Sequence, residues 1–340
     1  MREVLLGKTG IRIPQNAFGA LPIQRVDMNM AVKLLRGAYE GGMRFFDTAR
    51  AYSDSEEKLG EAFEGMRDKI YISSKTMAKT PEKFWEDLET TLKNLRTDYL
   101  DIYQFHCVQQ CYKPGDGTGM YEAMLEAKKQ GKIRHIGITA HLIGVAEEIV
   151  ESGLYETLQF PFCYLATDRD IALVKAAEEA GMGFLAMKGL SGGLLTNSEA
   201  CMAFMSQYNV LPLWGIQREE ELQQWLGFFD RDIEMTDEIA KFIEDDRKNL
   251  MGDFCRGCGY CMPCTVGIQI NNCARMSQLI RRSPSANFLS EEWQALMMKI
   301  EECVDCGLCK TKCPYELDTP NLLRKNLADY KDIISGRVKI

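Results

Sequence analysis

Two cysteine runs near the end of the sequence carry its most specific chemistry. The second reads Cys303-x2-Cys306-x2-Cys309-x3-Cys313-Pro314, and the first reads Cys255-x2-Cys258-x2-Cys261-x2-Cys264. Thiolates at this pitch wrap an iron–sulfur cluster, and the second run has the spacing of a bacterial four-iron motif, proline included. Structural zinc sites use two close pairs separated by a longer loop, which neither run has. Eight of the 13 cysteines lie in these runs; the others are Cys107, Cys111, Cys163, Cys201 and Cys273. Clusters of this kind move single electrons, so the preceding 250 residues or so must be read alongside an electron carrier.

A second set of residues sits far upstream. The apolar runs RFFD (44–47), KIYISSK (69–75) and YLDIYQFH (99–106) end on Asp47, Lys75 and His106, and Tyr52 follows Asp47 by five residues. A polar residue closing an apolar strand is costly unless it is used or paired. A phenol ionises near pH 10, and a neighbouring ammonium lowers that value. The types therefore predict a Tyr52 made more acidic by Lys75, an Asp47 that holds the lysine charged, and a His106 that orients a substrate oxygen. That combination suits protonation of a carbonyl oxygen while a hydride reaches its carbon. Positioned acid–base catalysis of this sort is worth about 10² to 10⁴ in rate.

These residues need a frame that brings strand ends together. Apolar runs at 16–23, 44–47, 69–75, 99–106, 132–139, 156–160, 182–188 and 210–214 alternate with amphipathic stretches such as 28–42, 80–95 and 168–181. Thr80-Pro81 opens one of these as a cap followed by proline. Eight strand–helix units in about 210 residues fit a closed parallel (β/α)8 TIM barrel, an α/β fold whose site lies at the strand C-terminal ends. An open doubly wound sheet would show a Gly-x-Gly-x-x-Gly turn after the first strand, and none is present. The opening MREVLLGKTGIRIP reads as a hairpin covering the barrel floor. The rhythm stops after Phe229. Segment 231–250 and the stretch between the cysteine runs have helical spacing. The reading is a barrel over 1–235 and a small helix-rich iron–sulfur domain over 236–340.

The motifs Asp47-Thr48-Ala49-Arg50-Ala51-Tyr52, Ser74-Lys75 and Gln104-Phe105-His106 resemble the catalytic tetrad of the aldo-keto reductase superfamily. The C-terminal cysteine runs are similar to those of the bacterial branch that carries a ferredoxin-like domain. The resemblance implies Tyr52 as general acid, tuned by Lys75 and Asp47, with His106 orienting the carbonyl and NAD(P) supplying hydride. It places Gln159 and Thr139 at the nicotinamide carboxamide. It places Lys188, Gly189, Leu190, Ser191, Gly192 and Gly193 in the pyrophosphate loop, and Gly215 and Arg218 near the adenosine end. Relatives often hold the NADP 2′-phosphate with Lys and Arg where this chain has Gly215 and Glu221. The run Glu219-Glu220-Glu221 repels a phosphate, which moves the expectation toward NAD. By the ligand crossing of two-cluster ferredoxins, Cys255, Cys258, Cys261 and Cys313 would hold one [4Fe-4S] cluster. Cys303, Cys306, Cys309 and Cys264 would hold the other, with Cys273 as a substitute ligand.

Composition sets the outer bounds. The net charge of -8 argues against nucleic acid as the main partner. No run of about 18 apolar residues exists to span a membrane, and the first residues lack a signal-peptide pattern. A cytoplasmic protein is expected, with a small carbonyl or alcohol substrate and a redox protein as partner for the clusters. Two other readings stay open. The chain is chiefly an electron-transfer protein whose barrel binds or reduces a substrate without NAD(P), or its clusters are structural only. His135 and the tryptophans Trp85, Trp225 and Trp293 read as structural. His141 and Trp214 read as rim residues near substrate or cofactor.

Overall fold

The computed structural model describes every residue except 232, 251–253, 258, 283, 284, 314 and 340. The chain forms two compact units. One comprises Met1–Gly189 and Glu199–Thr236, and the other Leu190–Ser198 and Asp237–Ile340.

In the first unit, β1 (Glu3–Leu5) and β2 (Arg12–Pro14) pair as an antiparallel hairpin. Eight parallel strands follow: β3 (Ala17–Gly19), β4 (Phe45–Asp47), β5 (Tyr71–Thr76), β6 (Leu100–Val108), β7 (Ile133–Ala140), β8 (Thr157–Pro161), β9 (Gly183–Met187) and β10 (Val210–Gly215). They close in sequence order, with β10 returning to β3. This is the (β/α)8 barrel that the strand–helix rhythm predicts. The helices are α1 (Met28–Glu40), α2 (Ser55–Phe63), α3 (Pro81–Asn94), α4 (Met120–Lys129), α5 (Ile143–Ser152), α6 (Asp168–Glu179), α7 (Ser198–Met205) and α8 (Glu219–Leu226).

Local sequence explains the helix starts. Asp27 accepts from Met30 N–H at α1, and Thr80 caps α3 with Pro81 in the first turn. Thr167 and Asp170 form a reciprocal capping box at α6. Each satisfies backbone donors that have no partner inside the helix.

The hairpin plugs one end of the barrel. Val4, Leu6, Ile11 and Ile13 pack with Ala17, Phe45, Ile102, Leu185, Leu211 and Leu213 in one buried cluster. Gly7 makes a close approach there. Its φ is +51°, and a Cβ would lie 2.2 Å from the Gly181 carbonyl oxygen. Sealing this end leaves the C-terminal strand ends as the open rim.

The second unit is helical. It contains α9 (Asp237–Leu250), α10 (Ile270–Cys273), α11 (Met276–Arg282), α12 (Ser285–Phe288), α13 (Glu291–Met298), α14 (Leu308–Thr311) and α15 (Thr319–Ile334). Leu322, Leu323, Leu327, Tyr330 and Ile333 make up the buried face of α15. Asn326 ties it to α11: its amide donates to the Ala274 and Leu322 carbonyls and accepts from Ser277 N–H. No helix among the described residues is long and apolar enough to cross a membrane.

Leu6 is fully buried in the floor cluster. Leu6→Ala should therefore destabilise the barrel by about 2–5 kcal/mol, seen as a lower urea midpoint for the barrel transition.

Candidate active site and cysteine-lined cavities

The rim is built by strand ends in register. Asp47 closes β4 opposite Ser73 of β5, and Lys75 lies opposite Gln104 of β6. Thr139 of β7 faces Gln159 of β8. Side chains two residues apart on a strand share a face, so Ser73 with Lys75 and Gln104 with His106 point into the barrel together. Gly137 admits Gln104, since a Cβ there would lie 2.8 Å from the Gln104 Cγ.

Lys75 is fully buried. Its Nζ donates to Asp47 Oδ2 at 2.7 Å and to the Thr48 carbonyl at 2.6 Å. Asp47 also accepts from Ser73 Oγ at 2.5 Å, and Gln159 Nε2 lies 3.4 Å from Oδ2. The ammonium lies 4.9 Å from the centre of the Tyr52 ring, and that ring meets His106 edge-on at 5.7 Å. Asp47, Tyr52, Lys75 and His106 thus occupy one corner of the rim.

Electrostatics there differ from the expectation in one respect. Burial pushes the Tyr52 phenol above its ordinary value, and the Lys75 ammonium opposes this without cancelling it. The cause is desolvation, which penalises phenolate more than one shared ammonium repays. Burial alone would lower the Lys75 pKa, but Asp47 and Tyr52 outweigh it and hold the ammonium charged. His106 is pushed down to about 3, by burial first and then by Lys75 and His141. It is therefore a neutral ring at physiological pH, and its Nδ1 is buried without a hydrogen-bond partner.

Residues expected at the cofactor fall into three groups. Thr139 and Gln159 are buried on the rim. Gln159 Oε1 accepts from Gln104, and Thr139 Oγ1 accepts from the Cys107 N–H at 2.7 Å. Lys188 and Gly189 follow β9 in the barrel unit, whereas Leu190, Ser191, Gly192 and Gly193 belong to the second unit. In that loop Lys188, Ser191, Gly192 and Gly193 all have positive φ. A Cβ at Gly189 would lie 2.5 Å from the Trp214 ring. Trp214 itself is buried and stacked on Trp225 at 3.8 Å, so it is a core residue. Gly215, the last residue of β10, is exposed. Arg218 is held by Glu221 through Nε and Nη2, and Glu221 also accepts the Gln217 and Arg218 N–H groups.

The cysteine runs surround two cavities in the second unit. One is lined by Cys255, Cys261 and Cys313 with Tyr315, Leu317 and Leu322. The other is lined by Cys261, Cys264, Cys303, Cys306 and Cys309 with Val266 and Ile268. Cys258 and Pro314 lie outside the described residues. Among the described residues no three ligand side chains converge on a point that would hold a single ion. Sulfurs around an apolar hollow instead suit a multi-iron cluster. The Gly257 N–H donates to Cys255 Sγ at 3.3 Å, the kind of bond that steadies cluster thiolates. Cys273 lines neither cavity. It is buried, its thiol donates to the Leu296 carbonyl, and burial pushes it up to about 11.

Residues 15–207 match the profile of the Aldo/keto reductase family, more than half of the sequence. The chain belongs to this family. Residues 254–318 match the 4Fe-4S dicluster domain. Aldo-keto reductase YhdN of Bacillus subtilis (strain 168) is 30% identical over 215 residues, which cover 58% of this chain and 64% of that protein. Methylglyoxal reductase DkgB of Salmonella typhi is 36% identical over 142 residues, 39% of this chain and 51% of that protein. The chain therefore spans between half and two thirds of these two relatives. Among solved structures, aldo-keto reductase AKR11C1 from Bacillus halodurans (holo form) superposes with a TM-score of 0.64 at 18% identity. That match covers 72% of this chain and 96% of that one. An aldo-keto reductase from Klebsiella pneumoniae in complex with NADPH gives 0.60 at 20% identity, covering 72% and 95%. At these identities the structures show the shared barrel.

Within this member of the family, two features have little trace in the sequence. Ser73 bonds Asp47, and its two-residue spacing from Lys75 was the available signal. The other is a bulge in β6, where the register shifts between Phe105 and Val108 and Cys107 adopts φ +54°. A bulge re-aims side chains beside a site, and here Cys107 Sγ lies 3.7 Å from His141 Nδ1. No residue type announces it. His135 pairs with Glu156 at 2.8 Å, the structural role expected of it.

Lys75→Met would leave Asp47 buried without its cation. That should cost about 3–5 kcal/mol in denaturant unfolding. The histidines predict a pH dependence. Unfolded His106 takes a proton near pH 6.5, but the folded ring does so only near 3. His141 behaves alike, lowered to about 3 by burial and then Lys188. The unfolded chain binds more protons in that window, so stability falls as pH drops from about 6.5 toward 3. His106→Gln should flatten the slope of unfolding free energy between pH 6.5 and 4.

Proposed function

We propose that this chain is a nicotinamide-dependent oxidoreductase that interconverts a small carbonyl compound and its alcohol, coupled to two [4Fe-4S] clusters. The observation that carries the reading is the corner formed by Lys75, Asp47, Tyr52 and His106. A nicotinamide, when bound, would supply hydride to the carbonyl carbon. Tyr52 hands its phenolic proton to the carbonyl oxygen, so the product is a neutral alcohol; in the reverse direction the Tyr52 phenolate takes that proton back. A phenol whose pKa burial has raised is fully protonated at neutral pH, the form a reduction requires. The fixed Lys75 charge then stabilises the phenolate left behind, and Asp47 keeps that charge in place. Neutral His106 can hydrogen-bond the oxygen without competing as an acid.

Thr139 and Gln159 would meet the nicotinamide amide, and Lys188 to Gly192 the pyrophosphate. Gly215 leaves room at the adenosine end. Arg218 is already engaged by Glu221, and Lys33 pairs with Glu219, so little cationic charge is left there for a 2′-phosphate. NAD is therefore preferred over NADP.

Cys255, Cys258, Cys261 and Cys313 would hold one cluster, and Cys264, Cys303, Cys306 and Cys309 the other. The clusters, when bound, supply single-electron exchange with a redox protein partner. Both cavity linings support this crossed pairing. The protein is read as cytoplasmic, with neither nucleic acid nor membrane as partner.

Tyr52→Phe should lower kcat by about 10² to 10⁴ and leave NADH affinity unchanged, measured by stopped-flow reduction of small aldehydes and by fluorescence titration. Anaerobically purified protein should bind NADH more tightly than NADPH. Loss of NADH binding with iron retained would sink the reductase reading in favour of an electron-transfer protein.

A further inference from the structure

One half-buried cation in the second unit lies outside the chemistry above. Arg275 precedes α11, and its guanidinium is wedged between two glycines distant in sequence. A Cβ at Gly192 would lie 2.5 Å from its Nη1, and a Cβ at Gly257 would lie 2.8 Å from its Cζ. Both glycines have positive φ, +68° and +67°. Gly192 belongs to the loop after β9, and Gly257 to the first cysteine run. Nη1 donates to the Ser191 carbonyl at 3.4 Å, while Nε is buried without a hydrogen-bond partner. Burial lowers the Arg275 pKa and the Cys255 thiol acts in the opposite sense; a guanidinium stays charged even so. At the last residue of α11, Arg282 repeats the attachment. It donates to the Leu194 carbonyl and is paired with Asp246.

A half-buried guanidinium with an unbonded buried Nε and one long hydrogen bond is poorly compensated for the water it loses. A negatively charged neighbour changes that balance. A four-iron cluster held by thiolates at Cys255 and its partners is such a neighbour. We propose that Arg275 is a positioning residue that joins the first cluster electrostatically to the 190–194 loop, raising that cluster's reduction potential and fixing the loop. The physical reason is direct. Reduction adds negative charge beside a fixed cation in a medium of low dielectric, so the cation favours the reduced form. Linkage makes the effect reciprocal: adding an electron strengthens the hold on Arg275, and through it on Ser191 and Gly192. The inference rests on the cluster assignment proposed above, and deepens it.

The test uses the anaerobically purified full chain, with iron counted first. Potentiometric titration followed by electron paramagnetic resonance gives the potential of each cluster. Hydrogen exchange with mass spectrometry follows residues 190–195 in the oxidised and dithionite-reduced protein. Two variants reach the cation from opposite sides. Arg275→Met removes the charge, and Gly192→Ala displaces the guanidinium without touching any cysteine run. Both should disfavour reduction of one cluster about tenfold, about 59 mV for one electron, and leave the other cluster in place. Wild-type residues 190–195 should exchange more slowly when reduced, and this difference should vanish in both variants. If Arg275→Met loses iron, Gly192→Ala decides. Iron present with unchanged potentials and redox-independent exchange overturns the role of Arg275 alone. Protein without iron overturns the cluster assignment and this inference together.

Discussion

An ammonium group buried away from solvent must be surrounded by acceptors, and Lys75 imposes that demand on the whole rim. Its charge meets Asp47 Oδ2 and the Thr48 carbonyl, and Asp47 in turn requires donors. Ser73 provides one, and Gln159, itself bonded to Gln104, approaches the other oxygen. Four strands, β4, β5, β6 and β8, are thereby linked through one fixed charge. The barrel's closure makes this possible, because it aims the C-terminal ends of all eight strands at one opening. Plugging the other end with an apolar hairpin separates the stabilising layer from the reactive one. Tyr52 and His106 then sit in an environment whose polarity is set before any substrate arrives.

That same burial decides which protonation states are available. The phenol is held protonated and the imidazole neutral, beside the Lys75–Asp47 ion pair. Such an arrangement separates roles by environment rather than by residue type. Charge is fixed on the Lys75–Asp47 pair, and the phenol beside it is kept protonated.

The second unit solves a different problem with different means. It has about a hundred residues and short helices, and its cysteines face hollows lined by Val266, Ile268, Leu317 and Leu322. Apolar walls exclude water from a charged group and make nearby charges and backbone dipoles count for more. The unit also takes in the stretch between β9 and α7. The connection that in sequence looks like one more barrel loop is structurally part of the iron–sulfur domain.

The barrel is legible in the order of residues alone, because strand–helix periodicity over eight units and the lack of a Gly-x-Gly-x-x-Gly turn leave little else to build. Asp47, Lys75 and His106 are also legible there, since each closes an apolar run where an unused polar group would be penalised. The cysteine spacing specified cluster chemistry for the same local reason. Only the tertiary structure decided what depends on neighbours distant in the chain. Tyr52 is less acidic than its lysine alone implies, because desolvation is a property of the packed rim and not of the pair. Trp214 is core because Trp225 stacks on it, and Arg218 is engaged because Glu221 folds back in the first turn of α8. The allegiance of loop 190–198 was invisible for the same reason. Arg275 and Arg282 hold it from some 80 residues away, and no local pattern encodes a contact of that range.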